Sequence, residues 1–97
     1  MPQEVLTELE RVVQRWRQLP LDRALSYAGR VRALVQSLAD EVAEANGVAS
    51  SAVPDCGPAT LMDQLTVVVY DSSATAQTST RSPTLADALA SLRRELA

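Results

Sequence analysis

The fold of this 97-residue chain depends on residues 53–71, VPDCGPATLMDQLTVVVYD. Read as a helix, the segment begins with Pro58 at its first position, and its apolar residues then recur every three or four positions. Read as a strand, residues 65–70 are a β-branched run of the kind that is buried inside a sheet. The helix is the stronger interpretation, because Asp55 or Gly57 can cap it and the helical period continues to the end of the segment.

The helical interpretation also predicts which side of this segment faces the core. The expected core face consists of Leu61, Leu65, Val68 and Ser72, with Met62 and Val69 beside it. Asp63 is then expected in solvent. The strand interpretation gives an α+β fold, but residues 65–70 would need a partner strand from another chain, because no second strand is evident in this one. The sequence therefore predicts an all-α protein, a small four-helix arrangement.

Before this segment, the chain is predicted to form an antiparallel helical hairpin over residues 3–46. In its first helix, over residues 3–18, one apolar stripe consists of Val5, Leu9, Val12, Trp16 and Leu19. Pro20 ends this helix, since its ring removes a donor and restricts the residue before it. The second helix starts near Asp22 and ends at Asn46-Gly47, where glycine accepts the left-handed conformation. Its predicted apolar face is Leu25, Ala28, Val31, Val35, Leu38, Val42 and Ala45.

The hairpin is followed by a loop over residues 47–57, a helix over 58–72, a polar linker over 73–82 and a last helix over 83–97. The last helix is expected to start behind Pro83, with Thr84 and Asp87 as a capping pair. Its predicted core seam is Leu85, Leu89, Leu92 and Leu96. A chain of this length can build a single core, so we expect one domain over residues 1–97.

Composition narrows the class of protein further. Hydrophobic residues make up 46% of the chain and charged residues 22%, as in a folded soluble domain. Lys, His, Ile and Phe are absent, a bias typical of a high-GC bacterial genome. No signal peptide is recognisable, and no apolar run approaches the ~20 residues of a membrane span, so we expect a cytoplasmic protein.

Charge is unevenly distributed along the predicted hairpin. Residues 11–32 contain six arginines and one acid, a net charge of +5, whereas residues 1–10 and 33–46 contain six acids and no base. Folding at Pro20 gathers the arginines at the turn and the acids at the open end. In the second helix this placement opposes the backbone dipole, so helix stability does not explain it. The candidate interface or anion-binding residues are Arg11, Arg15, Trp16, Arg17, Arg23, Arg30 and Arg32.

This charge distribution has three interpretations. In the first, the charges lie on solvated faces and the other helices neutralise them. In the second, the arginines bind an anion or a nucleic acid, and in the third, the charges direct antiparallel self-association. In the last case Arg30 and Arg32 of one chain approach the acids of residues 40–44 of another. The net charge of -3 argues against a surface that coats nucleic acid. Trp16 lies between two arginines, where stacking on a base is conceivable, but its place on the apolar stripe favours the core or a dimer seam.

A second group of residues near the third helix is a candidate chemical site. These candidates for a loop or surface site are Asp55, Cys56, Asp63, Tyr70 and Asp71. Cys56 is the only cysteine, so no intrachain disulfide can form, and the acid beside it works against a nucleophilic thiolate. Without histidine, a zinc site would need carboxylates alone, and the acids show no EF-hand or carboxylate-pair spacing. We therefore expect no enzyme, no metal and no cofactor.

The leading functional hypothesis is a non-enzymatic protein–protein interaction module that self-associates through its amphipathic helices. The apolar stripes of its helices contain more apolar surface than one minimal core requires. The alternative is a small regulator or accessory factor that binds nucleic acid or another polyanion through the Arg-rich pole. The expected partner is a second copy of the chain or another protein, and a membrane is not expected.

Overall fold

The computed structural model describes residues 2–75 and 81–97, and these residues form an all-α protein. The helices are α1 (Gln3–Gln18), α2 (Leu21–Ala45), α3 (Leu61–Thr75) and α4 (Arg81–Leu96), and a 3-10 turn, Pro58–Thr60, leads into α3. No strand occurs in the described ranges. The predicted four-helix, all-α fold is therefore confirmed, and the strand alternative for residues 65–70 is wrong.

Proline and glycine set the bounds of the first three helices. Pro20 separates α1 from α2, and Leu19 before it is extended with φ -73° and ψ 138°. α2 ends at Ala45 and is followed by Gly47 with φ +68°, the conformation that glycine adopts without strain. Gly57, with φ +88°, stands at the N-terminus of the turn that opens α3.

The helices pair in an order that the sequence did not predict. α1 packs chiefly on α4, and α2 packs chiefly on α3, so the two helices of the predicted hairpin are not each other's main partners. α1 packs on α4 because the leucines of the α4 seam form a continuous apolar face along that helix. Two contacts join α1 to α4: Arg15 Nε donates to the Leu96 carbonyl over 2.7 Å, and Arg93 Nε donates to Glu8 over 2.7 Å. The earlier of the two α1 residues, Glu8, contacts the earlier α4 residue, Arg93, and the later one, Arg15, contacts the later one, Leu96, so these two helices run in parallel.

α2 and α3 are parallel to each other and antiparallel to α1 and α4. Arg30, in the first half of α2, pairs with Glu95 at the end of α4 over 2.9 Å, and Glu41 near the end of α2 lines a hollow with Thr84 near the start of α4, so α2 is antiparallel to α4. Gln64, near the start of α3, lines a cleft with Gly29 of α2. Later residues of α3 line a separate groove with the C-terminal end of α2. Because both helices advance together along these contacts, α3 is parallel to the second half of α2, and the first two turns of α2 extend beyond it.

One hydrophobic core joins all four helices. Its buried members are Val5, Leu9, Val12, Val31, Leu34, Val35, Leu38, Leu61, Met62, Leu65, Val69, Leu85, Ala86, Leu89, Leu92 and Leu96. The predicted leucine seam of α4 lies wholly within this cluster. In α2 the prediction for Leu25 is wrong: its side chain is 51% exposed, because the turn that carries it lies in the part of α2 that extends beyond α3.

The predicted face of α3 is rotated slightly from the observed one. Val69 is fully buried and Val68 is only partly buried, although the sequence placed Val68 at the centre and Val69 beside it. The buried arc follows from packing on two sides, since α3 contacts α2 and also faces α1. Ser72 is buried and Asp63 is exposed, as predicted.

The segment between α3 and α4 is shorter than the predicted linker of residues 73–82. α3 continues to Thr75 and α4 already begins at Arg81, while residues 76–80 lie outside the described residues. Thr84 is consequently inside the first turn of α4, so its predicted capping pair with Asp87 is wrong. Proline is compatible with a first helical turn, which explains why Pro83 does not mark the start.

Candidate functional site

The arginine-rich end of the molecule is where α1 and α4 end and α2 begins. Because α1 and α4 are parallel, Arg93 and Arg94 in the last turn of α4 join the arginines of the first two helices at this end. The sequence interpretation considered only α1 and α2 and missed both residues. Arginines in a last turn interact favourably with the helix dipole, and this local pattern is visible in the sequence. Their position beside α1, in contrast, depends on tertiary packing.

Several of these arginines are engaged within the chain. Arg15 binds the Leu96 carbonyl, Arg30 binds Glu95, and Arg93 binds Glu8. Arg11 also pairs with Glu8 over 3.2 Å, three residues away on the same helix. These contacts fasten the end of α4 to α1 and α2, so much of the predicted positive pole has a structural role.

Arg32 lies apart from this end, beside the loop of residues 46–57. Its Nη1 is 2.9 Å from Asp55 Oδ2, and Asp55 Oδ1 accepts a hydrogen bond from the Gly57 N–H. Gln36 fixes the same loop, because its amide nitrogen donates to the Ser51 carbonyl and its amide oxygen accepts from the Val53 N–H over 2.8 Å. The loop is thus held along α2 by polar side chains, a role that the sequence did not reveal for Gln36.

Three exposed arginines are not neutralised by an acid among the described residues. Arg17, Arg23 and Arg94 form no ion pair with any described residue. The Arg23 guanidinium lies 5.9 Å from the centre of the Tyr27 ring, a cation–π contact within one helix. Trp16 is partly buried and packs against the core, which leaves little of its ring for stacking on a foreign group.

A groove lies between α1 and α3. It has a volume of about 530 Å³ and is lined by Leu6, Leu9, Glu10, Val13, Gln14, Arg17, Thr66 and Tyr70. Arg17 and Glu10 are seven residues apart on α1, about 10 Å along the helix axis, so the groove carries opposite charges towards its two ends. Apolar side chains form the surface between them.

The outer face of α3 forms a ridge beside this groove. Tyr70 is 50% exposed and Val67 is 58% exposed, although both belong to the apolar run that was predicted to be buried as a whole if it were a strand. Asp63 and Asp71 flank them and are also exposed. This helix contains no basic residue, so its outer face is apolar with an acidic border.

The remaining candidates do not converge on a chemical site. Cys56 is an exposed free thiol in the loop. Asp63 and Asp71 are eight residues apart on α3, about 12 Å along the axis, which is too far for the two carboxylates to share one cation. Among residues 2–75 and 81–97, no group of three or more histidine, cysteine, aspartate or glutamate side chains is arranged to hold a metal.

The chain matches no known protein family, no curated protein and no solved structure. None of the described helices is long and apolar enough to cross a membrane. The surfaces defined above are therefore the basis for any functional proposal.

Proposed function

We propose that the protein is a non-enzymatic interaction module that forms an antiparallel homodimer through the groove between α1 and α3 and the ridge beside it. The observation that carries this proposal is an exposed apolar ridge next to a groove with opposite, unpaired charges towards its ends. Such a surface is self-complementary under a two-fold axis, because each copy supplies both a ridge and a groove.

The apolar part of the interface is the ridge of Val67 and Tyr70. Tyrosine is enriched among the residues that dominate binding energy, since its ring buries a large area while its hydroxyl remains satisfied at the edge. In the dimer, Tyr70 of one copy inserts between α1 and α3 of the other. Leu6 and Val13, which are half-buried in the groove wall, receive the ring.

Charge selects the second copy as the occupant. Arg17 lacks an ion pair among the described residues, and so do Glu10 and Asp71, which lie farther from the arginine-rich end. An antiparallel arrangement centred on the ridge brings Arg17 of one copy towards Glu10 and Asp71 of the other.

The molecule is large enough for such an interface. A specific interface of standard size covers about 800 Å² on each partner. The accessible surface of this chain is 5618 Å², so each copy contributes about one-seventh of it. Arg30 and Arg32, which the sequence offered as the intermolecular pair, have intrachain partners in Glu95 and Asp55. The dimer that we propose therefore leaves both ion pairs in place.

A charge-swap series tests this arrangement. Arg17→Glu should weaken dimerisation by about two- to thirtyfold, the value of the two symmetry-related exposed ion pairs that it removes, measured by light scattering across protein concentration. Combining it with Asp71→Arg should restore part of the loss. The matched control is Arg23→Glu, which makes the same change on an exposed arginine outside the groove. Equal effects of Arg17→Glu and Arg23→Glu would contradict the proposed orientation.

A second candidate function is binding of a polyanion at the arginine-rich end. The observation in its favour is the exposure of Arg17, Arg23 and Arg94 without ion pairs to described residues. Fluorescence anisotropy with a labelled 20-nucleotide single strand tests it over a range of salt concentrations. The candidate predicts that the logarithm of affinity falls steeply with the logarithm of salt, and that the triple change of these arginines to Gln removes the slope.

A further inference from the structure

A cleft on the opposite side of α3 lies between α2 and the loop that precedes α3. Its volume is about 360 Å³, within the usual range for small-ligand pockets, and its walls include Gly29, Arg32, Val35, Gln36, Val53 and Gln64. Ala33, Val53 and Pro54 make part of the wall apolar, whereas Val35 is 1% exposed and belongs to the core behind it. This cleft takes no part in the proposed dimer.

Among the described residues, Arg32 is the only charged side chain that lines this cleft. The two glutamines are occupied by the fold: Gln36 holds the loop, and Gln64 donates to the Pro54 carbonyl over 2.9 Å. Arg32, in contrast, makes one ion pair through Nη1 with Asp55, and both side chains are about half exposed. Exposed ion pairs of this kind are weak, so a ligand carboxylate can replace Asp55 on the guanidinium at little cost.

Gly29 supplies a second reason to regard the cleft as a binding site. It lies in the interior of α2, where glycine is less stable than alanine because it loses more backbone freedom on folding. A Cβ atom built at Gly29 meets no heavy atom within 4 Å, and its φ is not positive. Neither packing nor backbone conformation within the described residues therefore requires glycine here. What glycine does provide is open space in the cleft wall, where a bound molecule can approach the helix backbone closely.

We infer that this cleft binds a small organic acid, with its carboxylate on Arg32 and its apolar body against Gly29, Val53 and Pro54. Asp55 then acts as an internal competitor that occupies the guanidinium when no ligand is present. The chemistry is that of a monocarboxylate with a hydrophobic body. A doubly charged or fully polar anion lacks the apolar part that would contact Val53 and Pro54.

The probe for this inference is 4-phenylbutyrate, titrated into the ¹⁵N-labelled full chain, with the neutral 4-phenylbutanamide as the matched ligand control. The expected result is saturable shifts of the Gly29 and Val53 amide signals with the acid, and at least tenfold weaker binding of the amide. Equal binding of acid and amide, shifts centred elsewhere, or no saturable shift at millimolar concentrations would overturn the inference. Gly29 lies outside the proposed dimer interface, so its shift is independent of whether the chain dimerises, whereas Val53 borders Val67 of the ridge.

Variants sharpen the assignment. Arg32→Gln should abolish the preference for the acid over the amide, and Gly29→Leu should abolish binding of both ligands by filling the cleft. Asp55→Asn should tighten binding of the acid by about two- to fivefold, because the competing carboxylate is gone. Arg23→Gln, an arginine on the same helix outside the cleft, should change nothing. Thermal unfolding of each variant shows whether it is folded, and a folded Asp55→Asn that binds the acid no better than the parent would contradict the role of Asp55.

Discussion

α4 and α3 use their apolar residues in opposite ways. In α4 the leucines follow a helical period, and Leu85, Leu89, Leu92 and Leu96 are all buried. In α3 the apolar residues run contiguously, so they go around the helix, and the core takes only one side of them. Val67 and Tyr70 remain outside. Apolar residues with a helical period lie on one face of the helix, so the core can bury all of them. Contiguous apolar residues extend around the helix, so some of them stay exposed and are available to contact a partner.

The largest expected effect is in the α4 seam. Leu89 is fully buried among residues of the core, so Leu89→Ala should lower the free energy of unfolding by about 3 kcal/mol, within the range for buried leucines. Urea denaturation followed by circular dichroism measures it. A loss below about 1 kcal/mol would show that the α4 seam does not contribute to the core as described.

The next effect separates two neighbouring valines of α3. Val69 is fully buried and Val68 only partly, so Val69→Ala should cost about 2 kcal/mol and Val68→Ala about 1 kcal/mol in the same denaturation experiment. Each substitution removes the same atoms, which makes the pair a control for chemistry. The reverse order would mean that the buried face is the one that the sequence pattern favoured.

The smallest effect belongs to the loop before α3. Cys56 is exposed, and no ion pair or hydrogen bond of its side chain is observed among the described residues. Cys56→Ser should therefore change the free energy of unfolding by less than about 0.5 kcal/mol. A larger loss, measured in the same urea titration under reducing conditions, would assign the thiol a structural role.

Local signals allowed much of the fold to be predicted from the sequence. The bounds of α1 agree with the prediction, because Pro20 has a local steric effect that does not depend on packing. The end of α2 followed from Asn46-Gly47 for the same reason. The start of α4 was misplaced at Pro83, since a proline in the first turn of a helix gives no information on how many residues precede it.

The rest depended on contacts between distant segments. No local pattern states that α1 packs in parallel on α4, and this packing brings Arg93 and Arg94 to the arginine-rich end. The exposure of Leu25 depends on how far α2 extends beyond α3, a property of the assembled helices. Among the candidate site residues, Asp55 was named from sequence, but its pairing with Arg32 required the loop to fold back along α2.

The central claim is that the surplus apolar ridge of α3 is a dimer interface, and sedimentation velocity from 1 to 200 μM tests it most directly. The account predicts that the parent chain reaches twice its 10.4 kDa mass as concentration rises. Tyr70→Ala should weaken this association at least tenfold, because it removes the aromatic anchor, while thermal unfolding of the variant confirms its fold. Leu21→Ala, at an apolar side chain that is 71% exposed on α2 and lies outside the groove, should leave association unchanged. A parent chain that stays at 10.4 kDa throughout this range, or equal weakening by both substitutions, would contradict the claim.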